Sequence, residues 1–236
     1  MSRTARAAIA TGVVALVIAA VAGGAYFLTS PHQSAGRFAL SPSPRPPTTS
    51  GDAGLQGTWV VDAGSQAGYR VSERFVGQAA DSEAVARTAT ISGQMVLGGS
   101  GTELRLQSAT FSADISKLKS EDANATHGSA IRDIFVARTY LETAVYPMAT
   151  FVAGPQALAS AGSPASLSIA GTFATHGVTH DLTIPLQVTR SAERLEVVGS
   201  FPLHYSDYKV DVPQVPFTSA SPDATIEVHL FLKRQT

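Results

Sequence analysis

"FATHGVTHDLTIPL", residues 173–186, sets two histidines four apart, a glycine between them and an aspartate directly after the second. On a helix, histidines at i and i+4 share a face and make a zinc pair. The surrounding residues argue instead for strand, turn and strand. With Gly177-Val178 as a two-residue type II′ turn, glycine takes the positive φ of the first position. Phe173 then faces Leu182, Gly171 faces Ile184, Ile169 faces Leu186 and Leu167 faces Val188. Every large apolar residue falls on one side, an agreement that a one-residue slip destroys. His176 pairs with Thr179 and Thr175 with His180, so the two histidines point to opposite faces and a shared metal is disfavoured. Pro185 resists this register: opposite Ala170 its missing N–H loses a ladder bond unless a bulge or an edge intervenes.

The same alternation runs from about residue 57 onward. Tyr69, Val71 and Phe75 share a face, with Glu73 the exception. So do Val85, Ala89, Ile91, Met95 and Leu97, and later Ile226, Val228, Leu230 and Leu232. Period-two patterns of this kind mark strands with one buried side. Further strands are expected near 57–62, 102–116, 148–155 and 194–203. Leu104 and Leu106 are even-numbered whereas Phe111, Ala113 and Ile115 are odd, which predicts a bulge near Ser108. Residues 120–141 lack alternation and carry Ile131, Ile134 and Phe135 at helical spacing, so one or two short helices belong there. Eight or nine antiparallel strands avoid a long open edge most completely as a closed barrel. At eight strands the interior is either filled with side chains or holds one small elongated ligand.

The start of the chain is different. Residues 7–28 carry no charge, and at about 1.5 Å per residue they cover a hydrocarbon core of roughly 30 Å. Arg3 and Arg6 precede them and no acid appears before Asp52, so the rest of the chain is expected outside the cytoplasm. Residues 1–28 read as a single-pass membrane anchor, with a cleaved signal peptide and secretion as the alternative. Residues 29–56 hold five of the thirteen prolines among Ser, Thr and Gly. That composition predicts a partly extended spacer, leaving 57–236 as the folded domain.

Composition removes several function classes. A net charge of −1 offers nothing to nucleic acid. The absence of cysteine excludes disulfides, thiolate metal sites and a cysteine nucleophile. There is no G-x-S-x-G elbow, phosphate loop or dinucleotide fingerprint. An unmotifed hydrolase could use His204, Asp207 and Asp211, but "PLHYSDYKVD" reads better as a strand end and loop at a barrel rim.

Three stretches together resemble the YceI-like family: "TWVVDAGSQAGYRVSE", "AIRDIFVARTYLETAVYPMATF" and "GTFATHGVTHDLTIPLQV". The marks are Trp59 and Asp62; Arg132 and Asp133; Tyr146, Pro147 and Phe151; and Gly171, His176, Gly177, Val178 and Thr179. Phe173 stands where leucine is usual, and the long N-terminal segment departs from the simple signal peptide of many members. The resemblance spans about 57–234 and implies an all-β, eight-stranded antiparallel lipocalin-like barrel with a short helical insertion. It also implies a non-enzymatic protein that binds a long isoprenoid or similar amphiphilic lipid, a polyisoprenoid or quinone, with no other cofactor.

On that reading the lipid-binding wall is drawn from Tyr69, Val71, Phe75, Ile91, Phe111, Phe151, Ile169, Phe173, Leu182 and Ile184. Phe135 and Tyr140 of the insertion either line the mouth or simply pack over the barrel end. Arg132 and Asp133 anchor the insertion, or Arg132 meets a headgroup. From the residues alone the same apolar faces could fill a ligand-free core. The competing function is therefore an envelope interaction or stress protein with a filled barrel. The expected partners are an isoprenoid-type lipid and the membrane, the expected location is the outer face of the cytoplasmic membrane, and the assembly is a monomer or homodimer.

Overall fold

The structure is a computed structural model that describes residues 34–42, 55–76, 81–99, 103–121, 128–158, 164–191, 194–212, 214–215 and 218–235. The apolar run 7–28 and most of the spacer lie outside the described residues. No helix among the described residues is long and apolar enough to cross a membrane.

Among the described residues thirteen strand segments follow one another: β1 (Gly57–Val61), β2 (Gln66–Phe75), β3 (Ser82–Thr88), β4 (Ile91–Gly98), β5 (Leu104–Asp114), β6 (Lys119–Ser120), β7 (Met148–Ala153), β8 (Gln156–Leu158), β9 (Ala165–Thr175), β10 (Val178–Ser191), β11 (Arg194–His204), β12 (Gln214–Val215) and β13 (Thr218–Arg234). Every pairing is antiparallel. The ring β1–β4–β5–β7–β9–β10–β11–β13 closes through β1 against β13. β2 extends β1 along β13, and β3 extends β4 along β2, so the segments occupy eight positions of a closed barrel. Closure removes the exposed edges that a flat sheet of this length would leave.

Three local expectations meet the coordinates differently. The β4–β5 register shifts between Val96–Ser108 and Leu97–Leu106. Gln107 is the extra residue, and the bulge expected near Ser108 is there. The run 85–97, read as one face of one strand, breaks at Ala89-Thr90 into β3 and β4. Val85 therefore sits on the outer side, because Ala84 and Ala86 are the residues opposite Val71 and Tyr69. The β9–β10 hairpin turns at His176-Gly177, not Gly177-Val178. Thr175 pairs Val178, Phe173 pairs His180, Gly171 pairs Leu182 and Ile169 pairs Ile184.

Both turn residues have positive φ, 50° and 72°, the requirement of a type I′ turn. The shift of two residues keeps every paired strand residue on its expected face, which is why alternation alone could not see it. Pro185 now lies opposite Ser168, and the ladder from β10 to β11 begins only at Leu186. Its missing donor therefore falls where β10 parts from β11.

The insertion contains α1 (Gly128–Phe135), continued by a π-helical turn, Val136–Tyr140. Two 3-10 turns, Ile115–Lys117 and Tyr205–Tyr208, sit at the same end of the barrel. Residues 34–42, assigned by composition to the spacer, lie along the outer wall instead. Ser34 donates to the Glu83 carbonyl, the Ala35 and Gly36 carbonyls accept from Arg70 and Arg87, and Ser41 donates to Glu196. This strap crosses β3, β2, β13 and β11. The physical reason is polar, not apolar: it satisfies buried donors and acceptors rather than burying its own surface.

Candidate functional site

The barrel is filled at one end and hollow at the other. At the closed end Trp59, Met95, Leu97, Leu104, Leu106, Ile169, Leu195, Val197 and Leu232 form one packed cluster. Trp59 is fully buried, and its Nε1 donates to the Leu55 carbonyl at 2.7 Å. Asp62 holds the ends of two strands at this pole, with Arg194 at 3.4 Å and Lys233 at 3.4 Å. Backbone donation at Ala63 leads the effects that hold its carboxyl below the ordinary range.

Above that floor lies a cavity of about 170 Å³ with an almost wholly apolar wall. β2 contributes Tyr69 and Val71, β4 Ile91, β5 Phe111, β7 Phe151, β9 Phe173 and β10 Ile184, while Tyr140 comes from the insertion. Four expected wall residues are elsewhere. Phe75 and Ile169 are buried but do not reach the cavity, Ile169 belonging to the closed-end cluster. Leu182 packs beside the Phe173–Ile184 cluster, and Phe135 points outward, 56 % exposed. Strand parity chooses a face but not a height along the barrel, and height decides between cavity and plug.

The wall also takes residues left out of the sequence-based set. Phe201 and Leu203 of β11, and Ile226, Val228 and Leu230 of β13, show the period-two signal. Leu118 and Val210 lie in irregular segments that carry no periodic signal at all. Gly171 makes room for the Phe151 ring that lines the cavity: a Cβ there would meet that ring at 2.7 Å and the Val152 carbonyl at 2.5 Å.

Polar groups gather at the mouth. Arg132 Nη1 lies 3.5 Å from Glu73 Oε2, and both residues line the opening with Tyr205 and Asp211. Burial leads the causes that hold the Tyr69 and Tyr205 hydroxyls well above the ordinary tyrosine range, with Glu73 adding to both. These phenols stay neutral at any ordinary pH. What exposure Tyr69 retains is to the cavity, not to bulk water.

The insertion crosses this mouth as a lid fixed at both ends. At the near end Asp133 accepts from Ser120 N at 3.1 Å and Ser120 Oγ at 2.5 Å, while Arg132 Nε donates to that hydroxyl at 3.1 Å. The Arg132-Asp133 pair therefore does anchor the insertion. At the far end His176 Nε2 lies 3.1 Å from Glu142 Oε2, and its Nδ1 lies 3.0 Å from the Tyr208 carbonyl. Tyr146 packs on the same imidazole at 4.6 Å between centroids. His180 reaches the Asp207 carbonyl at 2.9 Å. Both histidines thus face the Tyr205–Tyr208 turn, against the expectation of opposite faces, because His176 is a turn residue rather than a strand residue. Glu142, His176 and Lys209 are the positive-φ residues other than glycine among those described; Glu142 and His176 are in contact, and Lys209 follows Tyr208, whose carbonyl His176 reaches.

No group of three or more His, Cys, Asp or Glu that could hold a metal occurs among the described residues. His204, considered with Asp207 and Asp211, pairs instead with Asp223 at 2.6 Å. That hydrogen bond is the main cause raising the His204 imidazole above the ordinary histidine range.

Together these features define a closed antiparallel barrel, floored at one pole and holding an apolar cavity under the insertion at the other. The sequence profile of the YceI-like domain matches residues 59–232, and the chain belongs to that family. Among solved structures, the fold is similar to a polyisoprenoid binding domain from Saccharophagus degradans described as implicated in plant cell wall breakdown. That likeness has 17% identity and a TM-score of 0.54, and covers 76% of this chain and 99% of that one. It is also similar to BcnA of Burkholderia cenocepacia, at 18% identity and a TM-score of 0.50, over 70% of this chain and 95% of that one. No curated protein matches the chain.

Proposed function

We propose that the barrel binds the hydrocarbon end of a long-chain isoprenoid or similar amphiphilic lipid, at the outer face of the cytoplasmic membrane. The observation that carries this reading is the apolar-walled cavity above a packed floor, opening at a polar mouth. Each buried CH₂ contributes about 0.8 kcal/mol, so a chain needs no specific polar partner until it leaves the tunnel. Typical small-molecule sites measure roughly 300–1,000 Å³; this one is smaller, so it takes part of a chain and leaves the remainder to emerge under the lid.

Entry is tail-first, because Glu73, Arg132, Tyr205 and Asp211 sit where a polar end group would stop. Likeness in fold to a polyisoprenoid binding domain supports the ligand class. The apolar run 7–28 supports the location. A filled barrel working only through its outer surface would need the closed-end packing throughout, and the hollow half favours the lipid reading over it.

The test is organic extraction and mass spectrometry of the full chain purified from membranes, with uptake of a polyprenol as a second readout. Ala149→Trp and, on the paired strand, Ala113→Trp fill the cavity from its wall. Both should keep the β-sheet circular dichroism signal and lose lipid, by about fourfold in affinity for each methylene kept out. Wild-type protein that carries no lipid and takes up no polyprenol would end the proposal.

A further inference from the structure

Six large apolar side chains stand well exposed among the described residues: Val76, Ile134, Phe135, Val145, Met148 and Val152. Val152 is on the outer face of β7. The other five all lie at the open end of the barrel. Single exposed apolar residues are ordinary, but a group collected on one surface marks an interaction site.

The lid explains their arrangement. Arg132 and Asp133 turn inward to Glu73 and Ser120, and Val136, Tyr140 and Leu141 line the cavity. Between them Ile134 and Phe135 face water, 53% and 56% exposed. One short segment is therefore apolar on both sides, toward the cavity and away from it.

Charge divides the rim. Among the described residues beside the lid's near end, the exposed ions are Lys117, Lys119 and Arg138. The described acids in that quarter are engaged: Asp114 with Ser116, Asp133 with Ser120, and Glu121 with Arg87 at 2.8 Å. Glu142, at the far end of the lid, meets His176, and Arg74 beside Val76 meets Asp81 at 2.8 Å. Across the mouth, around β10, β11 and the start of β13, the exposed ions among the described residues are Asp181, Asp207 and Asp211, with Lys209 among them, and Asp223 paired with His204 at 2.6 Å.

We propose that the apolar, basic half of the rim docks on an anionic lipid bilayer, tilting the barrel so that its mouth opens at the bilayer surface while the acidic half stays in water. The occupant follows from continuity: the docking side chains are interleaved with cavity-lining ones, so a chain leaving the bilayer stays in apolar contact along its path. The basic flank suits anionic headgroups and the acidic flank is repelled by them. The proposal rests on the lipid-binding reading and is read out separately from it.

The chain has no cysteine, so Phe135→Cys, Val145→Cys and, as a control on the outer face of β10, Thr183→Cys each take one environment-sensitive dye. The full-length variants are reconstituted into vesicles of phosphatidylcholine with phosphatidylglycerol, and of phosphatidylcholine alone. Dyes at 135 and 145 should shift to the blue and be quenched by brominated lipid in the anionic vesicles, several-fold more than the dye at 183. Lys117→Glu with Lys119→Glu should weaken that partitioning by about fivefold or more. A dye at 135 as water-exposed as the one at 183, or quenching indifferent to both lysines, overturns the proposal. A buried dye on a barrel that never holds lipid would instead retire the carrier reading alone.

Discussion

Gly177 shows how much a single backbone angle carries. It completes the type I′ turn at φ 72°, and a Cβ there would stand 2.8 Å from the Tyr146 ring. The left-handed conformation costs a residue with a Cβ roughly 1–2 kcal/mol. Gly177→Ala should therefore lower unfolding stability by at least about 1 kcal/mol, seen as a lower urea midpoint with an unchanged slope. It should also loosen the lid, since Tyr146 and His176 clasp its far end. At His204 the raised imidazole value comes first from the Asp223 hydrogen bond. Its stabilising contribution is complete below the ordinary histidine range and fades as pH rises through the raised value. Asp223→Asn should bring the His204 titration, followed by proton NMR, back down to the ordinary value; no movement would show that Asp223 is not the cause.

Among the elements, the strap 34–42 is the one that composition misjudged. Beneath it Glu227, 3% exposed, meets Arg70 at 3.3 Å and Arg87 at 3.5 Å. Arg70 also reaches Glu83 at 2.8 Å, and the Arg87 guanidinium stacks over Phe38 at 3.9 Å. Removing one partner of a buried ion cluster costs about 3–5 kcal/mol, because the remaining charges stay desolvated. Glu227→Ala should lose that much in denaturant titration, whereas Glu83→Ala, at the cluster's exposed side, should lose far less. The strap's other end rests on Glu196, where burial works to raise the carboxyl but donation from Ser41 and His229 wins and lowers it. A lowered carboxyl contributes fully above the ordinary glutamate range and loses that contribution as pH falls through the lowered value. Hydrogen-exchange protection at residues 34–42, taken relative to the intrinsic rate at each pH, should therefore fall in acid before that of the barrel strands, and Glu196→Gln should remove the dependence.

For the whole molecule, the decisive division is between a plugged pole and a hollow one. Trp59 closes the first, packed into the cluster that forms the cavity floor. Trp59→Ala should cost about 3–5 kcal/mol and join the cavity to the vacated space. Longer chains would then be retained relative to wild type, which competition between short and long polyprenols would measure. Loss of stability without any change in chain preference would place Trp59 in the fold alone.

The amino-acid sequence by itself determined which side faces inward on β2, β4, β9, β10 and β13, though not on β3, and also where the β4–β5 bulge falls and where the insertion interrupts the rhythm. Alternation is local and repeats every two residues, so any slip by two leaves it intact. The turn at His176-Gly177 rather than Gly177-Val178 was settled only when strands met across the ring. The same degeneracy explains the wall. Tyr69 and Ile169 both point inward by parity, yet one borders the cavity and the other fills the floor, because height along a tilted barrel is a property of closure. Arg70, Arg87 and Glu227 alternate outward like any solvated face. Only the folded chain brings back the segment 34–42 to cover them, since long-range contact, not local pattern, decides what water reaches.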